Sequence, residues 1–185
     1  MVAVPLRCRW TGNRGCLHEG REIVRHHRGT RWIICEPDFR DRWMEQWLPR
    51  RFTWLYFHDE AVALAAGHRP CAQCRWAAFN RYREAAFGRR QPVPRMDAAL
   101  QAERWDGRAQ RSHAMAWSSV PAGAFTSLDD GAPALVLSDA VVPWTAAGYG
   151  ARRPRPSSGT ATVLTPPTSC RALAAGYQPQ QAAGS

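Results

Sequence analysis

The stretch that most restricts what this chain can fold into is FHDEAVALAAGHRPCAQCRW, residues 57–76. An alanine-rich segment runs into Gly-His-Arg-Pro, and two cysteines follow, Cys71 and Cys74, with two residues between them. Asp59 is placed to cap a helix by accepting a hydrogen bond from one of its free amides. Gly67 stands where a helix ends on a left-handed residue, and Pro70 stops the helix from resuming. A Cys-x-x-Cys turn sets two thiolates on one side of a tight bend, spaced to share a tetrahedral metal. Thiol redox pairs sit instead at the start of a helix after a strand. Here the pair follows a helix, a glycine turn and a proline, so zinc ligation is the expected role, ahead of redox chemistry or unliganded thiols.

Two cysteines make half of a zinc site, and the remaining candidates are Cys35, Cys16, His18, Cys8 and His113. Residues 22–24 and 32–35 flank the polar HHRGT, whose Gly29 fits a turn, and read as a hairpin ending at Cys35. A strand end holds a ligand rigidly, so Cys35 is the expected third ligand. Cys16 and His18 lie two apart and would face the same way in an extended segment. Cys16 is the expected fourth ligand, which gives an all-cysteine site, with His18 as the alternative. The surrounding WTGNRGCLH, residues 10–18, reads as a glycine-rich turn that delivers one of them to the metal. Its other reading is a phosphate-binding loop with Arg14 projecting and His18 as a general base.

The remaining pattern indicates an α+β protein in three parts. Residues 1–88 form a small zinc module with a hairpin, a strand at 52–57 and short helices. Its second helix follows Cys74, with apolar residues at three- to four-residue spacing to about Phe87. Four tryptophans, Trp43, Trp47, Trp54 and Trp76, are expected around the site. Residues 89–120 form a helical connector, with a helix from 96 to about 104 and an Arg/His loop through 110–113. Residues 121–185 form a β-rich C-terminal part, with strands at 124–128, 134–137, 140–144 and 160–164. Asp130-Gly131 marks a hairpin there, GYGARRPRPSSG a proline-rich loop, and residues 169–175 a short helix. That helix ends in CRALAAGYQPQQ, an echo of the Leu-Ala-Ala-Gly-aromatic-x-Pro order at 64–70 that lacks the paired cysteines.

The segment from about Arg21 to Trp76 resembles the zinc-binding N-terminal domain of the bacterial adaptive-response protein Ada. In that domain a hairpin leads into Cys-Arg-Pro-x-Cys, followed by a strand, a short helix and Ala-Gly-[Tyr/Phe]-Arg-Pro-Cys-x-x-Cys. LYFHDEAVALAAGHRPCAQC is close to the second half. WIICEPDF matches the first half at Cys35 and Pro37, with Phe39 in place of the second family cysteine. The resemblance covers under a third of the chain and implies zinc on Cys35, Cys71 and Cys74, with one ligand unassigned. It also implies DNA binding. In that family a zinc-bound thiolate accepts a methyl group from a backbone phosphotriester, and its position maps to Cys35. Phe39 changes the charge and shape of the site, so the zinc scaffold is what carries over. The whole chain also resembles a group of bacterial proteins sharing a GNRGCLH-type start and a GHRPC-type centre.

Charge bears on the partner. The chain of 185 residues has a formal net charge of +10, and all 25 of its basic residues other than histidine are arginine. Guanidinium groups contact phosphate in planar, bidentate fashion, which suits a polyanion. Arginine also replaces lysine wholesale in proteins from GC-rich genomes, which leaves an interaction module as a rival reading. The positive charge concentrates in residues 7–31, and Arg14, Arg31, Arg69 and Arg75 are the expected nucleic-acid contacts, with DNA preferred to RNA. No apolar run reaches the ~20 residues that span a bilayer, and the N-terminus has no signal-peptide h-region, so a cytoplasmic protein with no membrane partner is expected. Six cysteines in that compartment would not normally be disulfide-bonded. A zinc-dependent hydrolase using His18 and His113 is a further rival reading, whereas there is no Ser-His-Asp order, no phosphate-cradling glycine motif and no carboxylate pair that indicates a glycosidase. Asp59, Glu60, Asp129 and Asp130 read as caps and turns.

Overall fold

A computed structural model describes residues 8–41, 45–88 and 90–181. The chain opens with β1 (Trp10–Asn13), a small ribbon of β2 (His18–Glu19) and β3 (Glu22–Ile23), and β4 (Ile33–Cys35). After a short 3-10 turn come β5 (Leu55–Phe57), α1 (Glu60–Ala65), β6 (Arg69–Pro70), α2 (Trp76–Phe87) and α3 (Val93–Arg104). The C-terminal part contains β7 (His113–Ala116), β8 (Phe125–Ser127), β9 (Pro133–Val136) and β10 (Ala140–Thr145). It continues with β11 (Gly148–Tyr149), β12 (Arg153–Pro154), β13 (Thr160–Val163) and α4 (Pro167–Ala174). This is an α+β protein with a β-rich C-terminal part.

The first sheet has the order β5-β1-β4-β6. The expected hairpin between residues 22–24 and 32–35 does not form. β3 pairs with β2, whereas β4 pairs with β1 on one side and, in parallel, with β6 on the other. Burial explains the choice: Ile33 and Ile34 are buried, while Ile23 and Val24 are 39% and 47% exposed and could not anchor a central strand. β1 was expected as part of a glycine-rich turn. Gly12 sits inside the strand because a Cβ there would lie 2.3 Å from the Phe57 ring, so the glycine lets a cross-strand aromatic close over the backbone.

The second sheet runs β11-β10-β9-β8-β13-β7, with β12 also on β10. The Asp130-Gly131 turn joins β8 to β9, with Gly131 at φ +81°. The proline-rich 148–159 segment was expected as loop throughout, yet it contributes the two-residue strands β11 and β12. His113, expected in a loop, opens β7 and pairs with Val163.

α1 lies between the sheets and is buried on nearly every side. Ala61 and Ala65 meet Phe125, Leu135 and Val142 of the second sheet, while Ala63 and Leu64 join the larger core. Alanine has no bulk to keep neighbouring layers apart, so a six-residue helix can be covered from both directions. The larger core runs without interruption from Trp10 to Tyr177. α2 and α4 meet within it, where the buried Tyr82 hydroxyl hydrogen-bonds Ser169 at 2.8 Å. Trp10 and Trp117 are its buried tryptophans, and Trp32 is also buried. Of the four expected around the site, Trp47 and Trp54 are half-buried, Trp76 is 59% exposed, and Trp43 lies outside the described residues. Among the described residues no helix is long and apolar enough to cross a membrane.

The echoed segments adopt one backbone design. At the end of α1, Gly67 N–H bonds Leu64 O and His68 N–H bonds Ala63 O. At the end of α4, Gly176 N–H bonds Leu173 O and Tyr177 N–H bonds Ala172 O. The two glycines have φ of +82° and +92°. In both turns the aromatic residue after the glycine is buried, so the Leu-Ala-Ala-Gly-aromatic order specifies a helix stop that drives a ring back into the core.

Candidate metal centre

Parallel pairing of β4 with β6 builds the site. The register Ile33↔Arg69 and Ile34↔Pro70 brings Cys35 and Cys71 to the same end of adjacent strands. Cys71 N–H donates to Ile34 O at 2.9 Å, which fixes their relative height. Thr11 Oγ1, across from Cys35 on β1, donates to the Cys35 carbonyl at 3.1 Å. Beyond Cys71 the chain turns tightly, with Arg75 N–H donating to Cys71 O at 3.1 Å, and α2 starts immediately after Cys74.

The sulfurs of Cys35, Cys71 and Cys74 all lie within 4.8 Å of one another. Sulfurs bound to one tetrahedral zinc at about 2.3 Å stand roughly 3.8 Å apart, so the triad needs only a small closure to hold the ion. Its electrostatics suit thiolates. The Gln73 amide donates to Cys71 Sγ at 3.3 Å, and the N-terminus of the 12-residue α2 directs its positive dipole end at the turn. The three thiols cannot ionise independently. Hydrogen bonds from the Cys35 and Cys74 thiols pull Cys71 well below the usual thiol range. Cys35 is pushed far up because it donates to Cys71 and Cys74. The pattern is a single negative charge shared by three sulfurs, which a cation would relieve. Cys71 is buried, and Cys35 and Cys74 are half-buried at the edge of the molecule.

The expected fourth ligands are engaged elsewhere. Cys16 is buried with its thiol on the His18 carbonyl at 3.6 Å. His18 Nδ1 meets Thr53 Oγ1 at 2.6 Å, and its Nε2 meets Leu48 O at 3.2 Å. Leu48 O can only accept, so the imidazole donates to it through Nε2, while Thr53 Oγ1 also accepts the Leu17 amide at 2.8 Å. Both nitrogens are occupied, and His18 stands outside the cysteine triad. The cause is the one that redirected the sheet: residues 16–18 leave β1 toward the β2–β3 ribbon instead of running beside β4. Neither Cys8 nor His113 joins the triad, and no fourth histidine, cysteine or acidic ligand joins it at that distance among the described residues.

Three of the four arginines expected on phosphate serve the interior. Arg69 forms a bidentate pair with Asp97 at 2.7 and 2.9 Å, buried on both sides. Arg75 does the same with Glu60 at 2.9 Å through each nitrogen, and its guanidinium lies 3.8 Å from the Trp10 ring centroid. Arg14 folds back over Trp32 at 3.9 Å and donates to His68 Nε2 at 3.1 Å and Ala66 O at 3.0 Å. Only Arg31 is exposed.

Sequence reasoning missed the acidic partners, Glu60, Asp97 and Glu103. Asp97 had a usable signal, since it falls on the Met96–Leu100 apolar stripe of α3 where a charged residue needs a reason to be. Glu103 accepts from both the amide and the hydroxyl of Thr168 and so caps the start of α4. No protein-family model, curated protein or solved structure matches the chain.

Proposed function

We propose that this is a zinc-binding protein in which Cys35, Cys71 and Cys74 hold the ion and an arginine-rich surface binds nucleic acid. The convergence of three sulfurs from two strands and a turn carries the zinc reading. Three soft donors fit zinc and disfavour magnesium or calcium, which take oxygen ligands. The ion's main contribution is to tie β4 to the start of α2, because structural zinc adds folding free energy directly. The reading also draws on the resemblance of residues 21–76 to the Ada zinc domain. The nucleic-acid part rests on the net charge of +10 and on the exposed arginines that remain once the buried ones are set aside.

Two measurements test the reading separately. Elemental analysis of protein purified without chelator is expected to give one zinc per chain, and metal-free protein overturns it. Titration with labelled oligonucleotides across a salt series is expected to show affinity falling steeply with salt, since phosphate contacts release counterions. No binding at low salt overturns the second part.

A second reading has one observation in its favour. Cys35 is half-buried at the molecular edge and belongs to a three-sulfur set, so a zinc-activated thiolate there could accept an alkyl group. Mass spectrometry after incubation with methyl-phosphotriester DNA would place a methyl on Cys35, and an unmodified chain excludes it.

A further inference from the structure

Two loops distant in sequence are fastened together on one side of the molecule. The 26–31 loop is held from below by the Arg28 amide on Arg14 O at 2.7 Å and by Arg104 Nη2 on Thr30 O at 2.5 Å. The 105–111 loop is held by Arg111 N–H on Arg104 O at 3.0 Å, by a bridge between Trp105 and Gln110, and by Gln110 Nε2 on Ala65 O at 2.7 Å. The loops meet through rings. His26 lies 5.0 Å from Trp105 at 41°, and His27 lies 5.6 Å from it edge-on. Trp105 in turn approaches the buried Trp32, on which the guanidiniums of Arg14 and Arg104 rest at 3.9 and 4.0 Å.

The charge of this face is one-sided. Residues 25–31 and 104–111 together contain six arginines and one acid, Asp106. The Asp106 carboxylate caps its own turn by accepting the amides of Arg108 and Ala109, both at 2.8 Å. Arg25 is paired with Glu19. Arg28, Arg31, Arg108 and Arg111 are exposed and form no ion pair among the described residues. Beneath them, Arg14 and Arg104 also have no carboxylate at ion-pair distance among the described residues. Burial lowers them to about 10 and about 9 respectively, and the attraction of Asp97 only partly offsets it for Arg104.

We infer that this two-loop face binds single-stranded nucleic acid, with Arg28, Arg31, Arg108 and Arg111 on successive phosphates and a base against the His26–Trp105 pair. The inference rests on the nucleic-acid reading above and adds where the strand lies and which form is bound. Unpaired guanidiniums around the exposed His26 ring and the half-buried Trp105 match a strand whose bases are free to stack. A duplex reader would present a helix or a ribbon to enter a groove, whereas this face consists of two loops pinned to the body.

The test is fluorescence anisotropy of the full-length, metal-loaded protein with a labelled oligo-dT, an oligo-U and a duplex. Each is about 12 nucleotides long and is titrated between about 50 and about 200 mM salt. One of the two single strands is expected to bind more tightly than the duplex. Arg28→Glu with Arg31→Glu, and Arg108→Glu with Arg111→Glu, are each expected to lose about tenfold or more in affinity. Each pair should flatten the salt slope by about 1.4, two phosphate contacts' worth. His26→Ala should lose affinity with the slope unchanged. Circular dichroism shows whether each variant is folded, and arginine-to-glutamine versions replace any that are not. Arg81→Glu with Arg153→Glu, exposed but on α2 and β12, should bind as wild type. Tighter binding of the duplex, or face variants equal to wild type while the Arg81/Arg153 pair is weakened, overturns the inference and leaves the nucleic-acid reading standing. No binding of any oligonucleotide at the lowest salt overturns that reading itself.

Discussion

Arg75, the residue immediately after Cys74, grips the carboxylate of Glu60 with both guanidinium nitrogens at 2.9 Å, and both side chains are buried. Glu60 is the first residue of α1, and its oxygens also take the Tyr177 hydroxyl at 2.5 Å and the Gln180 amide at 3.0 Å. One carboxylate therefore joins the cysteine turn, the helix before it and the C-terminal tail. Glu60→Gln should cost about 3–5 kcal/mol, because it leaves Arg75 charged, desolvated and without a full partner. Urea unfolding measures the loss. Glu60→Gln combined with Arg75→Met should be less destabilised than the sum of the single variants, and simple additivity would show that the pair is not coupled.

Much of this was legible in the sequence where local rules act. The Asp59 cap, the Gly67 stop and the run of α2 follow from short-range chemistry, and all are present. Cys35 and the Cys71–Cys74 pair were joined correctly, although the route was wrong: a parallel β4–β6 pairing does the work assigned to a hairpin. Strand partners are chosen by which residues can be buried together, and a local pattern cannot register that Phe57 closes over Gly12. The same limit hid the buried arginine pairs. A guanidinium reads as surface charge until the fold supplies a carboxylate, and Asp97 meets Arg69 across 28 positions of chain.

Metal content should separate the triad from the other cysteines. Cys35→Ser, Cys71→Ser and Cys74→Ser are each expected to purify with little or no zinc, whereas Cys16→Ala and His18→Gln keep one ion per chain. Chelation of the wild type should lower stability by several kcal/mol, since structural zinc binding is worth on the order of 10 kcal/mol. Retention of zinc by Cys35→Ser, or its loss from Cys16→Ala, would contradict the site as drawn.

The two helix-stop glycines should differ in tolerance despite their matching φ. A Cβ at Gly176 meets nothing within 4 Å, so Gly176→Ala carries only the left-handed backbone cost of about 1–2 kcal/mol. A Cβ at Gly67 would stand 2.7 Å from Arg104 Cδ, whose guanidinium bonds the Gly67 carbonyl at 2.7 Å. Gly67→Ala should therefore be distinctly more damaging in thermal or urea unfolding. Equal losses would mean that Arg104 moves aside freely.

His68 should give the protein a measurable acid sensitivity. It is fully buried, its Nε2 accepts from Arg14, and desolvation together with the Arg14 and Arg104 charges holds it well below its ordinary value. The folded protein thus keeps His68 neutral where the unfolded chain protonates it, at about pH 6.5. Below that pH the unfolded state binds one more proton, so stability is full above about 6.5 and falls as pH drops. The slope is about 1.4 kcal/mol per pH unit until the depressed folded value is reached. His113, partly buried and also lowered, acts in the same direction, and thiolate protonation at the metal adds to it. Comparison with His68→Gln removes both contributions because they are common to the two proteins. The variant should be less stable than wild type at pH 7.5, having lost the ring that packs on Trp32 and Phe57, yet its stability should fall less steeply from pH 6.5 to 5. Urea midpoints at each pH read the difference, and parallel curves would show that His68 takes up its proton in the folded state as readily as in the unfolded one.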